Sequence, residues 1–221
     1  MEVFINILEK YQTGFIKGLI ITSQLFFISS VIGIIIGVLL GWFACKNKEC
    51  ESFFKIISFV LSGIPVLILL MWMHYPLQMM LGVVIEPFYT ALFTFTLVNI
   101  IGVAGLIHKA VVNFPKQYLV AAKINGLTAK QTFLKIELPL LFFSALPGIL
   151  LLQVVMLHTT LFASLISVDE IFTVVQRVNT QVYKPIELYT ILGLFFLVIS
   201  LPINGLAVYL KKKFSREYSE K

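Results

Sequence analysis

The sequence is poor in charged residues. Only 13% of its 221 residues are Asp, Glu, Lys or Arg, whereas 59% are hydrophobic, and the mean hydropathy is +0.96. A soluble domain carries about 25% charged residues, and a soluble chain of this length exposes too much surface to hide so much apolar matter from water. The composition therefore predicts a membrane protein. The net charge of +6 then matters through where the basic residues lie, and it is no sign of nucleic-acid binding.

Residue types and motifs that support chemistry are also scarce. The two cysteines, Cys45 and Cys50, suit neither a CxxC pair nor a zinc site, and we expect them to stay reduced. No carboxylate pair, nucleophile triad or metal-ligand cluster has a workable spacing, and no Gly-x-x-x-x-Gly-Lys-Ser/Thr phosphate loop occurs. The first apolar run is too long for a removable signal peptide. We expect no enzyme activity and no bound metal or cofactor, so any ATP and Mg²⁺ would be used by a separate subunit.

Five apolar segments are long enough to cross a hydrocarbon core, which takes about 20 helical residues. The sequence thus predicts an all-α membrane protein with one transmembrane domain over residues 18–210. Residues 1–17 carry apolar residues at helical spacing, which predicts an amphipathic helix on the membrane surface, and residues 211–221 form a basic tail. The predicted spans are Gly18–Ala44, Ile56–Met73, Phe88–Ile107, Leu138–His158 and Leu188–Leu210.

Basic residues are concentrated in three segments outside the spans. Loop 45–55, loop 108–137 and the tail after residue 210 hold thirteen of the 17 Lys and Arg residues. By the positive-inside rule these segments are cytoplasmic, so the N-terminus lies outside and the C-terminus inside. Loop 109–137 is then a cytoplasmic loop. The loop at 161–187 is an outer one, and its polar stretch Asp169–Glu187 predicts a short helix over the outer face.

Glycine and proline positions within the spans predict helix packing and helix shape. Gly33, Gly37 and Gly41 lie on one face of the first span, where a second helix can approach closely, either within one bundle or across a dimer. Pro65 and Pro147 each remove a backbone hydrogen bond, which predicts a kink in the second and the fourth span.

The polar segment from Tyr118 to Pro139 has the pattern of two short helices joined by a glycine. Gly126 can take the left-handed conformation that ends a helix. Thr128 can cap the next helix, and Gln131 three residues later completes a capping box. The pattern predicts a compact knob, which either touches a soluble partner or is a solvated hairpin without one.

The same segment resembles a known family. Ala121-Ala122-x-x-x-Gly126, followed after nine residues by Ile136-x-Leu138-Pro139, resembles the EAA loop in permease subunits of ATP-binding-cassette (ABC) importers. The leading Glu of that family is Val120 here. The best-matching group is the polar amino acid permeases for histidine, glutamine and arginine. Further matching stretches are Gly63-x-Pro65, Phe114-Pro115-Lys116, Ala163–Ile166, Tyr183–Tyr189 and Leu201-Pro202.

The resemblance implies a fold, a location and a set of partners. It implies a type I ABC importer permease with five transmembrane helices in the bacterial plasma (inner) membrane. The partners would be ABC ATPase subunits, a second permease chain of the same or another sequence, and an extracytoplasmic amino acid binding protein. In this family the loop is the coupling helix that sits in a cleft of the ATPase. The implied ATPase-coupling residues are Ala121, Ala122, Gly126, Leu127, Ile136, Leu138 and Pro139.

Departures from the family concern the substrate. The family often has Lys-Asp-Thr-Ser where this chain has His158-Thr159-Thr160-Leu161, and a Glu and an Arg where it has Gly105 and His108. Charged groups inside a membrane are costly and usually face a pathway. Either a partner chain keeps the substrate site, or the substrate is less polar.

Four polar residues are candidates for the substrate path. Asn99 either faces the path or bonds to another helix. His158, Thr159 and Thr160 either line the path or serve only structure, since threonine hydroxyls often bond back to their own helix.

Other interpretations stay open at this point. The run Ile64–Met73 resembles methionine importer permeases, which keeps methionine as a substrate. A channel or secondary carrier that does not use ATP, and a degenerate subunit with a scaffolding role, are the remaining classes.

Overall fold

A computed structural model of the chain describes residues 9–45 and 48–219. Within these ranges every regular element is helical, which confirms the all-α class. The parts of the sequence predictions that concern residues 1–8, 46–47 and 220–221 lie outside the described residues. The elements are α1 (Gln12–Ala44), α2 (Lys48–Gly63), α3 (Val66–His74), α4 (Pro76–Leu81), α5 (Pro87–Val112), α6 (Lys116–Ile124), α7 (Ala129–Thr132), a π-helical turn (Phe133–Glu137), α8 (Leu138–Thr159), a 3₁₀ helix (Thr160–Ile166), α9 (Ile171–Val182) and α10 (Pro185–Ser219).

Four helical segments of the described chain are long and apolar enough to cross a membrane, or five if the bent pair α2 and α3–α4 counts as one span. The kink predicted at Pro65 in the second span is a sharp bend: the two halves, α2 and α3–α4, meet at 92°. Pro65 has no amide hydrogen to continue the helix, and it also keeps Ile64 out of the helical region. Pro147, by contrast, lies inside the uninterrupted helix α8.

Two long helices extend beyond the predicted spans. Helix α1 begins at Gln12, so residues 12–17 belong to the first long helix and not to a separate surface helix. The reason is packing: Phe15 is buried in the core beside α9, and a Cβ at Gly18 would lie 3.0 Å from the Cα of Ile171. At the other terminus, α10 continues beyond Leu210 to Ser219, since lysine is a good helix former.

Helices α1 and α5 run parallel and touch along the glycine face of α1. A Cβ at Gly33 would lie 2.5 Å from Nδ2 of Asn99, and one at Gly41 would lie 2.6 Å from the carbonyl oxygen of Ala104. Real Cβ atoms do not approach so closely, so the contact needs glycine. The three predicted glycines therefore pack two helices of one bundle together, which is the common use of small residues between membrane helices.

The bundle has two ends with different structures. One end carries α6 and α7 between α5 and α8, and we call it the knob end. The opposite end carries α9, the short helix that the sequence predicted between residues 169 and 187. Helix α9 buries Val174, Val175 and Val178 against α1, α8 and α10, which fixes it over that end of the bundle.

Glu170 caps α9 from a fully buried position. Its carboxylate accepts hydrogen bonds from the backbone N–H groups of Phe172 and Thr173, each at 2.8 Å. This is the usual N-cap arrangement. Burial raises the pKa of the Glu170 carboxyl to about 7, against the smaller opposite effect of its hydrogen bonds.

Candidate coupling knob and transport path

The knob begins with α6, which ends in a Schellman motif at Gly126. Gly126 has φ of 71°, the left-handed conformation that the sequence predicted for it. Its N–H donates to the carbonyl of Lys123, and the N–H of Leu127 donates to the carbonyl of Ala122, both at 3.1 Å. These two bonds satisfy carbonyls that the helix end leaves unpaired, so the turn after α6 is defined by the local sequence.

A capping box then starts α7. The backbone N–H of Thr128 donates to Oε1 of Gln131 at 2.9 Å, and the N–H of Gln131 donates to Oγ1 of Thr128 at 3.3 Å. Both bonds of the predicted capping box are thus present. The predicted helix–turn–helix is confirmed, with both sides of the turn closed by hydrogen bonds.

The second half of the knob continues into the bundle without a break. Helix α7 passes through the π-helical turn Phe133–Glu137 into α8, and Pro139 lies in the first turn of α8. The ring of Phe133 lies 5.0 Å from the ring of Trp42 at the end of α1. The knob is therefore joined to α8 through its backbone and to α1 through an aromatic contact.

The surface of the knob differs in part from the predicted coupling set. Ala122 is only 2% exposed and supports the knob from inside. Ala121, Gly126 and Leu138 are exposed. The remaining predicted residues, Leu127, Ile136 and Pro139, are half-buried. Their role in contacting an ATPase stays a prediction.

Two exposed apolar side chains on α6 were missed as contact residues. Ile124 is 80% exposed and Val120 is 57% exposed. They lie four residues apart and therefore on one side of the helix. An apolar pair at this spacing within a polar loop was the signal that sequence reasoning passed over. Exposed apolar groups rimmed by polar ones are typical of contact surfaces.

Asn99, a predicted path residue, is fully buried between three helices. Its Nδ2 donates to the carbonyl of Ser29 at 3.1 Å and to Oε1 of Gln153 at 3.2 Å. Nε2 of Gln153 donates back to Oδ1 of Asn99 at 3.1 Å. The side-chain amides of Asn99 on α5 and Gln153 on α8 thus bond to each other next to α1. This arrangement matches the alternative in which Asn99 bonds to another helix.

The other predicted path residues lie together at the α9 end, away from Asn99. Thr159 and Thr160 are buried, and their hydroxyls donate to the carbonyls of Val155 and Leu157 in α8. His158 is exposed, with its ring 5.8 Å from the ring of Phe196. Their part in substrate passage stays a prediction.

A cavity of about 660 Å³ lies between α2, α3 and α5. It falls within the usual size range of small-molecule sites, about 300–1,000 Å³. Gly105 lies in its wall, and a Cβ built there would have no atom within 4 Å. The side chain of His108 closes the knob end of the cavity, where its ring lies 5.7 Å from the ring of Phe54. The structure thus contains a cavity that the sequence analysis did not predict.

Comparison with known proteins gives one family over most of the chain. Residues 14–216 match the family model described as "Binding-protein-dependent transport system inner membrane component". The histidine/lysine/arginine/ornithine transport system permease protein HisQ of Salmonella typhimurium is 26% identical over 211 residues, which cover 90% of this chain and 92% of HisQ.

Two solved structures share the fold. A crystal structure of an amino acid ABC transporter with histidines matches with a TM-score of 0.81 at 22% identity, over 93% of this chain and 96% of that one. The MetNI methionine ABC transporter, in an inward-facing conformation, matches with a TM-score of 0.70 at 19% identity, over 93% of this chain and 98% of that one. The fold is thus that of type I ABC permease subunits, as the sequence predicted.

Proposed function

Because the chain belongs to the family of binding-protein-dependent transport system inner membrane components, we propose that it is the membrane-spanning permease subunit of an ATP-driven amino acid importer. As a member of this family it lies in the bacterial inner membrane. The relatives that it matches are named as permease proteins. In this proposal ATP and Mg²⁺ are used by separate ATPase subunits, and this chain binds no cofactor of its own.

The knob is the observation on which the coupling part of this proposal depends. A glycine turn with two hydrogen bonds and a capping box fixes the shape of residues 116–132. On that rigid support α6 presents Val120 and Ile124 to the surroundings. Closure of two ATPase subunits around ATP moves the knobs of two permease chains, and this rocks the helices between inward-open and outward-open states. ATP can shift that equilibrium only through contacts that differ between the states.

The orientation of the chain is part of the proposal. The knob end carries most of the basic residues, including Lys116, Lys123 and Lys130, so by the positive-inside rule it faces the cytoplasm. The α9 end then faces outward and receives an amino acid binding protein. A channel or secondary carrier would have no use for a preformed knob. A methionine-type importer is a second candidate, supported by the resemblance of the run Ile64–Met73 to methionine importer permeases.

The experiment changes the exposed face of α6. Ile124→Asp places a charge at a surface position, so the fold of the chain is unaffected while an apolar contact is lost. We expect at least a tenfold loss of ATP-dependent uptake and loss of the ATPase on co-purification, since the main contact residues of an interface contribute about 2 kcal/mol or more each. Val84→Asp is the matched control, because Val84 is 99% exposed and belongs to the opposite end. If the Ile124→Asp variant still bound the ATPase and still took up substrate, the proposed coupling role of the knob would be refuted.

A further inference from the structure

The cavity between α2, α3 and α5 has basic and no acidic side chains in its described wall. Its knob end is polar, with Lys55, Ser58 and Lys109, whereas toward α3 and α8 the wall is apolar, with Leu69 and Leu152. The two kinds of wall therefore lie at opposite ends of the same cavity. A molecule with one charged end and one apolar end fits such a distribution.

Lys109 determines the sign of the charge in this cavity. Nζ of Lys55 lies 2.6 Å from Oε1 of Glu51, so the charge of Lys55 is balanced by a carboxylate on its own helix. Lys109 forms no ion pair within residues 9–45 and 48–219. Lys109 is exposed, so its unbalanced charge is partly screened by water and salt, and it acts mainly on groups within several ångströms.

One polar atom in this wall lacks a hydrogen-bond partner among the described residues. It is Oγ of Ser58, and it is buried. Nε2 of His108 is also buried, but it lies 3.4 Å from Oε1 of Glu51, within ion-pair distance of that carboxylate. Buried polar groups without partners are rare in proteins, and the Ser58 hydroxyl is therefore free to bond to a polar group of a bound molecule.

We propose that this cavity is where substrate contacts this chain, and that it accepts amino acids without a net positive charge. The substrate carboxylate lies near Lys109 and Ser58, and an apolar side chain lies against Leu69 and Leu152. The proposal rests on the proposed transport function and names its substrate class. It separates the chain from its relative HisQ, whose name includes lysine, arginine and ornithine. A cationic side chain would meet the unpaired charge of Lys109, whereas the carboxylate of Glu51 beside the cavity is already paired with Lys55.

The test measures the charge of the cavity directly. Gly105→Cys, with Cys45 and Cys50 changed to Ser, places one thiol in the cavity wall, where a Cβ has free space. The complex with its ATPase is labelled with an anionic ethylsulfonate or a cationic ethyltrimethylammonium methanethiosulfonate, and each rate is normalised to that with free glutathione. We expect the anionic reagent to react about three- to tenfold faster, from a unit charge one helical turn away at intermediate dielectric.

Two further variants and two ligands make the result decisive. Lys109→Gln should remove most of the rate ratio, while Lys109→Arg should retain it. L-Methionine should slow labelling, and L-arginine at the same concentration should not. Equal protection by arginine, a ratio that does not change in Lys109→Gln, or no labelling at all would overturn the proposal. The labelling ratio does not depend on ATP, so these outcomes are distinct from a failure of the coupling test on Ile124.

Discussion

The reciprocal amide pair of Asn99 and Gln153 allows a quantitative test of how α5 and α8 are held together. Replacing Asn99 by Leu, which has nearly the same shape, removes three hydrogen bonds. It also leaves the amide of Gln153 buried without its partner. Interhelical hydrogen bonds in membrane proteins contribute about 0.6 kcal/mol on average and up to about 1.7, and an unpaired buried amide costs about 1–3 kcal/mol. We expect Asn99→Leu to lower the free energy of unfolding by about 2–3 kcal/mol.

The double variant gives the sharper number. In Asn99→Leu with Gln153→Leu no side-chain amide is left unpaired, so the loss should be less than the sum of the two single losses. We expect a coupling energy of about 1–2 kcal/mol from the double-mutant cycle. The assay is reversible unfolding of the purified chain in mixed micelles with increasing SDS. Additive single losses would refute the reasoning.

The same variants separate the two interpretations of Asn99. If Asn99 only joins helices, its replacement lowers stability, and the uptake that remains has the same KM for substrate as the wild type. As a path residue, it affects the KM for substrate at unchanged stability. Uptake kinetics of Asn99→Leu in vesicles therefore decide between the helix–helix and the path interpretation.

Three other predictions concern Gly37, Gly126 and Glu170. Gly37→Ala brings a Cβ to 2.9 Å from the carbonyl oxygen of Ile100 and should destabilise the chain by about 1–3 kcal/mol in the same unfolding assay, whereas Gly205→Ala, with no atom within 4 Å, should not. Gly126→Asn should retain most ATP-dependent uptake and Gly126→Val should lose it, because Asn tolerates positive φ and β-branched residues do not; equal uptake by the two variants would contradict this. For Glu170, the folded-state pKa of about 7 lies above the ordinary 4.5. Between pH 4.5 and 7 the carboxyl is therefore protonated in the folded state and ionised in the unfolded state, so the stability of the fold falls as pH rises. Tm of wild type should thus rise as pH is lowered from 7 to 5, and Glu170→Gln should remove this dependence.

The local features of the knob followed from the sequence because they depend on neighbouring residues only. Gly126, Thr128 and Gln131 form their turn and cap through hydrogen bonds that span a few positions. The glycine face of α1 was also predictable, since helical spacing alone puts Gly33, Gly37 and Gly41 on one side. What the sequence left open was which helix would meet that face.

Features that depend on distant partners were not predictable. Asn99 and Gln153 are 54 positions apart, and neither position indicates the other. A proline restricts only the local backbone, so the sequence predicted a kink at Pro65 and no angle. The angle of 92° depends on how the two halves pack against the other helices. The exposure of Ile124 and the cavity beside Lys109 likewise depend on how helices assemble.

The π-helical turn between α7 and α8 has a consequence for the direction in which the knob points. An α-helix turns by about 100° per residue, and a π-helical turn accommodates one residue more than an α-helical turn does. The phase between α7 and α8 is therefore set by the number of residues from Phe133 to Glu137 and not by their chemical identity. Loss of a single residue there would rotate the knob about the axis of α8 and point its apolar face in a new direction. In this segment chain length is under tighter constraint than composition.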